Sequence, residues 1–428
     1  MPGTARFLSA TDRALLLRLQ HAALRYFLDN QTPDGLVLDR QRNAGPRRVH
    51  GLCSLAATGM GLAALALASA PPHRLLAPRE AVQRIRHCLR TALTRLPHDQ
   101  GVVPHFVDSL TLRACGADPF STVETAWLVA GALWAGQFLG DPLVERLAEQ
   151  LYQRVNWRAW TAPDEPGSTG LLRHGKDGRG RFLSCTWDRI NGETVFMYVL
   201  AAGAAAERAI AGDCCTRLGA FNGTVANLTF NNADLGLFVF QYGLDLLDLR
   251  AWQAPAACDL AMEAVVATLA NHRVCRDLAG RFRTYRDYWG LSAGDGPGLP
   301  PADHSYREYS PSGPIDGTAH LTAALASVAH APDLVLDALR RAHADRRLAP
   351  LGRYGFSSVN LDRGWAGPWM IGIDAGAAVL ALENYLAEGH VRRVMHRLPA
   401  VQHGLERLGF RQADPVPPQA IPAKRLAS

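Results

Sequence analysis

The chain lacks the features that would assign it quickly. None of its eight cysteines forms a CxxC pair. The spaced ligand pairs of zinc sites are therefore missing, and no metal centre is expected. Cys53, Cys88, Cys115, Cys185, Cys214, Cys215, Cys258 and Cys275 fall mostly in apolar helical contexts and read as buried free thiols. No apolar run is long enough for a bilayer, since 55–69 (LAATGMGLAALALAS) is short and broken by glycine. The opening MPGTARFLSATDRALLLRLQ has neither an unbroken apolar core nor a small-residue cleavage site, so no signal peptide is read. A basic run is missing as well. The net charge of +6 and the pI near 9.0 come from scattered arginines, whereas nucleic-acid binders gather theirs in a patch. The expectation is a cytoplasmic protein with reduced thiols and no nucleic-acid or membrane partner, or a periplasmic one had an export signal been removed. In the cytoplasm the Asn-x-Thr sequons at Asn222 and Asn227 carry no glycan.

What is present is helical periodicity. Hydrophobic spacing predicts helices near 11–30, 55–69, 78–96, 121–139, 142–155, 192–209, 232–249, 256–275, 317–329, 332–346, 371–387 and 389–408. Ser9 or Thr11, Ser121 or Thr122, and Asp316 stand where caps are wanted. Helices 78–96 and 332–346 carry one charged face, while 55–69, 122–138 and 371–383 are apolar nearly all round. A one-faced helix suits an outer layer, and an all-apolar one must be covered on every side. The expected fold is all-α, an (α/α)6 toroid of helical hairpins. Strand candidates at Val102–Asp108, Gly170–His174 and Phe182–Trp187 are expected as β-hairpin decorations at one mouth. One catalytic domain is expected over 1–410, followed by a Pro-rich disordered tail over 411–428. Two long irregular stretches, 156–190 and 278–316, have the length and the Gly, Pro, Asp and aromatic content of functional loops.

Acids and aromatics recur at the entrances to the apolar helices. Asp39 and Arg40 close LVLDR, His105 and Asp108 lie in PHFVD, and Glu124 opens STVETAW. Trp187, Asp188 and Glu193 occupy CTWDRINGE, Trp289 and Asp295 lie in YWGLSAGDGP, and Tyr306, Tyr309 and Asp316 in SYREYSPSGPIDGT. The most informative stretch is 352–385. There Tyr354, Phe356, Trp365 and Trp369 alternate with glycines before Asp374 opens a last apolar helix. An aromatic wall facing an acid at a helix entrance is the furniture of a sugar cleft.

Glycoside hydrolysis needs two carboxyl groups, one protonated toward the leaving oxygen and one ionised. Aromatic faces stack on pyranose rings, and Arg, His and Asp bond hydroxyls. Glu193 opens an apolar helix, where burial raises a carboxyl pKa while the helix N-terminus lowers it; the sequence leaves the sign open. Each residue also has a plain structural reading. Glu193 fits a surface carboxylate favouring the helix dipole, Asp374 an N-cap, and Glu124 a capping box with Ser121. His105 fits a satisfied core histidine, Asp316 a cap, and Trp187, Trp289 and Trp365 loop anchors.

In order, LVLDR, AATGMGL, STVETA with LVAGAL, WDRINGE, YWGLSAGDGP, YREY, DGT, GRYGF and GIDAG resemble the glycoamylase-like family. That group includes the glycoside hydrolase family 144 endo-β-1,2-glucanases. The chain is also similar to the transglycosylase domain of cyclic β-1,2-glucan synthases. The resemblance covers roughly 20–395 and implies an (α/α)6 toroid acting on β-1,2-glucan without a cofactor. It implies inversion, with Glu193 as the acid acting through a substrate hydroxyl and Asp374 as the base acting through water. Asp39, Arg40, His105, Asp108, Glu124, Trp187, Trp289, Tyr306, Asp316, Tyr354, Phe356 and Trp365 are then the expected substrate contacts. Alternatives are a retaining transglycosylase using Glu193, and a glucan-binding protein without catalysis. The chain departs from the family pattern at Ala375 and Ala377 beside the base, around His320–Leu321, and in the insertion GLPPADHS before Tyr306.

Overall fold

The computed structural model describes residues 8–163, 170–250, 252–253 and 258–412. In chain order the helices are α1 (Ala10–Asp29), α2 (Leu55–Ser69), α3 (Pro78–Thr94), α4 (Thr122–Leu139) and α5 (Pro142–Arg154). They continue with α6 (Gly192–Gly203), α7 (Phe238–Leu246), α8 (Leu260–Asp277) and the single turn α9 (Thr284–Asp287). The last are α10 (Leu321–Ala326), α11 (Pro332–Ala344), α12 (Gly372–Leu386), α13 (His390–Met395) and α14 (Pro399–Arg407). The protein is mainly helical with several small sheets. Among the described residues, no helix is long and apolar enough to cross a membrane.

The two helix classes read from sequence occupy different places. Every residue of α2 is buried, as are nearly all of α6 and α12, whereas α3, α5 and α11 bury a single face. The covered helices touch in series: α2 against α4, α4 against α6, α6 against α7, and α12 against α2. The Gln241 side chain of α7 donates to the Ala323 carbonyl of α10 at 2.8 Å, and α10 packs on α12. The contacts thus return to their starting point. Outside them, α1 lies against α12, α3 against α2, α5 against α4, α14 against α6, α8 against α7 and α11 against α10.

Small residues permit the closest of these approaches. A Cβ on Gly131 of α4 would fall 1.8 Å from the Gly59 carbonyl oxygen of α2, and one on Gly59 would fall 2.1 Å from that of Trp127. Neither obstacle is a movable side chain, so the two backbones touch only because both positions are glycine.

Several predicted boundaries move. The helix expected over 192–209 ends at Gly203, which packs against the Ala400 carbonyl of α14. The one expected from 232 starts at Phe238, because Asn231 and Asn232 turn back to bond the Ile190 carbonyl. The helix expected over 317–329 shrinks to α10, with Asp316 well before its start. The helix expected over 389–408 is split before Pro399, which begins α14.

The strands include more than decorations. Leu52–Ser54, Pro104–Asp108, Ala114–Ser121 and Gly175–Lys176 form a four-stranded antiparallel sheet. The candidates at 170–174 and 182–187 supply only isolated bridges: Leu172 to Thr161, Arg173 to Thr186, and Phe182 to Lys176 of the sheet. Arg40–Arg42 pairs with Trp369–Ile371, in the register Arg40 with Ile371 and Arg42 with Trp369. Ala293–Gly296 pairs with Ser305–Glu308, setting Asp295 opposite Tyr306. Arg411–Gln412, assigned from sequence to a disordered tail, pairs with Trp252–Gln253; the rest of that tail lies outside the described residues.

Gly131→Ala is expected to destabilise the protein by about 1–3 kcal/mol, the usual range for overpacking a tight core. A lowered melting temperature checks this, and an unchanged one contradicts the close α2–α4 approach.

Candidate active site

The first turns of α4, α6, α10 and α12 bring Glu124, Glu193, Thr322 and Asp374 to one region. None of the three acids is used as a cap. At α6 the Asn191 side chain accepts from the Thr194 amide at 2.9 Å, so Glu193 is free to turn inward. At α12 the N-cap position is Ile371, and Asp374 lies within the first turn. Ser121 makes no side-chain cap bond, and the Ser121–Glu124 capping box does not form. Instead Glu124 Oε1 lies 3.2 Å from His105 Nε2, while its Oε2 is buried with no hydrogen-bond partner.

Burial is the main electrostatic fact. Glu193 is 8% exposed, and its pKa is pushed up to about 7, first by desolvation and then by the neighbouring charge of Glu124. A hydrogen bond with Trp127 acts in the opposite sense. Desolvation also raises Asp374 to about 7, against a bond from the Tyr242 hydroxyl. That hydroxyl donates to Asp374 Oδ1 at 3.1 Å, and the Thr322 hydroxyl lies 3.5 Å from Oδ2. The Tyr242 pKa is itself raised, by burial first and then by several charges that include Asp374 and Glu193. Tyr242 therefore lies within electrostatic reach of both acids. Beside Asp374 is a cavity of about 10 Å³, lined by Tyr242, Ser292, His320, Thr322 and Ala377 among others. It has room for about one water.

Arg40 organises the adjoining wall. Its guanidinium bonds Asp39 at 2.9 Å and Asp295 at 3.1 Å, and the Arg40 charge acts to lower the Asp374 pKa. Burial outweighs Arg40 at Asp295, whose pKa is raised. Opposite Asp295, Tyr306 leaves 48% of its surface open. Its phenol pKa is nevertheless raised, by desolvation and then by Asp374, Asp39 and Asp295. The hydroxyl end thus sits among the carboxylates while much of the residue stays open.

Of the residues singled out from sequence, Glu193, Glu124 and His105 gather on one side, and Asp374, Asp39, Arg40, Asp295 and Tyr306 on the other. Trp187 joins the first set, donating to Thr122 Oγ1 at 3.0 Å and stacking on His174 at 3.8 Å. The rest lie elsewhere. Tyr354 and Phe356, expected as a sugar platform, are core residues, 0% and 1% exposed, and Tyr354 packs edge-on against Tyr26. Trp289 is likewise 3% exposed. The glycines between these aromatics fold the chain back, so the rings turn into the protein. Asp108 accepts the Leu110 and Thr111 amides and the Thr111 hydroxyl with one oxygen, closing a turn. Asp316 accepts from Arg307, Tyr309 and the Thr318 amide. Trp365 donates its indole N–H to the Asp303 carbonyl at 2.9 Å.

Tyr242 and Trp127 escaped the sequence reading. Each lies within an apolar helix, where an aromatic is the ordinary core residue. The available signal was a pair of polar groups, Gln241 and the Tyr242 hydroxyl, in the mainly apolar FVFQYGL. Among the described residues no group of three or more His, Cys, Asp or Glu is placed to hold a metal ion.

A family model named Glycoamylase, described as "Putative glucoamylase", matches residues 184–399. The chain belongs to this glycoamylase family. It is 24% identical over 441 aligned positions to the exo-β-1,2-glucooligosaccharide sophorohydrolase (non-reducing end) of Parabacteroides distasonis. That match takes in 93% of the chain but 58% of the relative, so the chain spans well under two thirds of the relative's length. The fold is similar to that of the endo-β-1,2-glucanase of Chitinophaga pinensis in a complex with sophorotriose and glucose. The TM-score is 0.79 at 20% identity, covering 94% of this chain and 99% of that one. It is also similar to the β-1,2-glucanase of Parabacteroides distasonis, with TM-score 0.78 and 22% identity over 94% of this chain and 60% of that one.

The raised pKa of Glu193 has a consequence for stability. Below pH 4.5 the group is protonated in both folded and unfolded chains, and above pH 7 it is ionised in both. Between these limits only the folded chain holds the proton, so stability falls as pH rises. A rise from 4.5 to about 7 corresponds to about 3 kcal/mol. Glu193→Gln is therefore expected to stabilise the protein by up to about 3 kcal/mol at pH 8 and by almost nothing at pH 4. Denaturant melts at the two pH values check this, and an equal effect at both contradicts it.

Proposed function

We propose that the protein is a glycoside hydrolase cleaving β-1,2-glucan or its short oligosaccharides by inversion, with Glu193 as general acid and Asp374 as general base. The observation that carries this reading is the pair of buried carboxyls, both raised to about 7, on the first turns of two inner helices with Tyr242 in reach of each. A carboxyl titrating near 7 holds enough of its protonated form at neutral pH to donate to a departing oxygen. One raised to the same value, once ionised, is a stronger base than an ordinary aspartate. The substrate class is supported by the names of the relatives, which act on β-1,2-linked glucans.

In this reading the returning series of helix contacts is an (α/α)6 toroid, and residues 1–410 form one catalytic unit around it. A glucan lies across the mouth, stacked on Trp187 and Tyr306 and bonded by Asp39, Arg40, His105 and Glu124. Glu193 protonates the leaving oxygen, directly or through a sugar hydroxyl. Asp374 takes a proton from water, which the small adjoining cavity can hold. Tyr242 and Thr322 orient the Asp374 carboxylate. The role needs no metal.

One observation favours a second reading. Glu124 raises the Glu193 pKa and leaves Oε2 unpartnered. Two neighbouring carboxyls are the equipment of a retaining double displacement, in which one attacks the sugar and transfer to another glucan can follow.

Linear and cyclic β-1,2-glucans incubated with the protein should yield shorter oligosaccharides by chromatography. Glu193→Gln and Asp374→Asn should each lower kcat by about a thousandfold while leaving glucan binding in place. Retained turnover in the folded Glu193→Gln protein rejects Glu193 as the acid, and no turnover in the wild type rejects the function.

A further inference from the structure

The wall expected to carry sugar on Trp365 and Trp369 is covered by the protein's own chain. The hairpin that pairs Asp295 with Tyr306 continues into loop 297–304. This loop is closed on itself: the Ala302 amide bonds the Leu299 carbonyl at 2.8 Å, and a Cβ on Gly298 would fall within 2.8 Å of the Ala302 and His304 backbones. Asp303 then ties it down. Its carboxylate meets Arg42 at 2.9 Å, His304 Nδ1 at 2.6 Å and the Trp369 indole N–H at 3.2 Å. Its carbonyl accepts the Trp365 indole N–H at 2.9 Å. The guanidinium groups of Arg42 and Arg48 lie 4.2 Å from the Trp369 ring, which is only 4% exposed.

The same strand clamps the hairpin at two levels. Arg40 holds Asp295 at its foot, beside the Asp374 site, and Arg42 holds Asp303 at its tip. Two residues along a strand span about 7 Å, so the tie at the tip lies one short step outward from the catalytic wall. A single exposed ion pair contributes little. Asp303 joins four partners, however, and unites the loop with two indoles and Arg42. A chain laid over the open face of Tyr306 and running outward meets this loop instead of an aromatic platform.

We propose that loop 297–304 is a fixed end wall of the mouth, and that Asp303 is the residue that sets how much glucan fits on the Asp374 side. The inference rests on the glucan reading above. Its consequence is the release of one short product size from a chain end, because only a short terminal segment fits between the wall and the bond broken.

The test is early-stage digestion of long linear β-1,2-glucan by the wild type, by Asp303→Ala, and by a variant with residues 298–303 replaced by a short glycine turn. Product lengths are read by chromatography, with melting temperatures to verify folding. The wild type should release a single short size, while both variants give products of many lengths and cut long chains several-fold faster relative to short ones. Should Asp303→Ala fail to fold, Asp303→Asn gives the reading, since it keeps an acceptor for Trp369 but loses the charge facing Arg42. Mixed lengths from the wild type, or an unchanged pattern from the folded Asp303 variant, overturn the inference and leave the glucan reading intact. No cleavage by the wild type rejects the glucan reading and this inference with it.

Discussion

Everything at this site depends on the cost of placing a carboxyl in a wall of buried helices. The covered helices are apolar on nearly all sides, and the carboxyls of the site, Glu124, Glu193 and Asp374, stand in their first turns. What a buried carboxyl then becomes is decided by its donors. Glu383, at the far end of α12, is as buried as Glu193, yet it accepts from Gln20 at 2.8 Å, His73 at 3.1 Å and His390 at 2.7 Å. Burial still works to raise it, but those bonds win and hold it at about 2. Glu193 has the Trp127 bond and a like charge beside it, and it rises to about 7. The same burial gives a structural anion in one place and a titrating acid in the other.

The helical part of this arrangement was legible in the sequence, because periodicity reports burial directly. The covered character of 55–69 and 371–383 placed Asp374 at the entrance to an inner helix, and WDRINGE placed Glu193 likewise. Side-chain direction in the loops was not legible. Tyr354 and Phe356 look the same on paper whether they face sugar or core, and only the fold of 351–371 against α1 turns them inward. Asp108 and Asp316 are acids in the right neighbourhood, but local amides take their oxygens. Tyr242 was hidden for the opposite reason: its helix reads as core, and its hydroxyl gains meaning only when α7 and α12 meet. Asp303 was passed over as a residue of an insertion, since its partners lie more than 60 positions ahead in Trp365 and Trp369 and far behind in Arg42.

Ala375 looked from sequence like a loss beside the base. In the folded chain it is fully buried, and the hydroxyls facing Asp374 come from Tyr242 and Thr322 on other helices. The support of this carboxyl is therefore tertiary, and a change at the next residue does not remove it.

The central claim is that the chemistry runs between Glu193 and Asp374 rather than between the neighbours Glu193 and Glu124. Proton NMR of freshly released products during wild-type digestion of β-1,2-glucan, recorded before mutarotation, tests it most directly. The account predicts that the new reducing ends appear first as the α anomer. Their appearance as the β anomer would contradict it and assign the reaction to the adjacent pair.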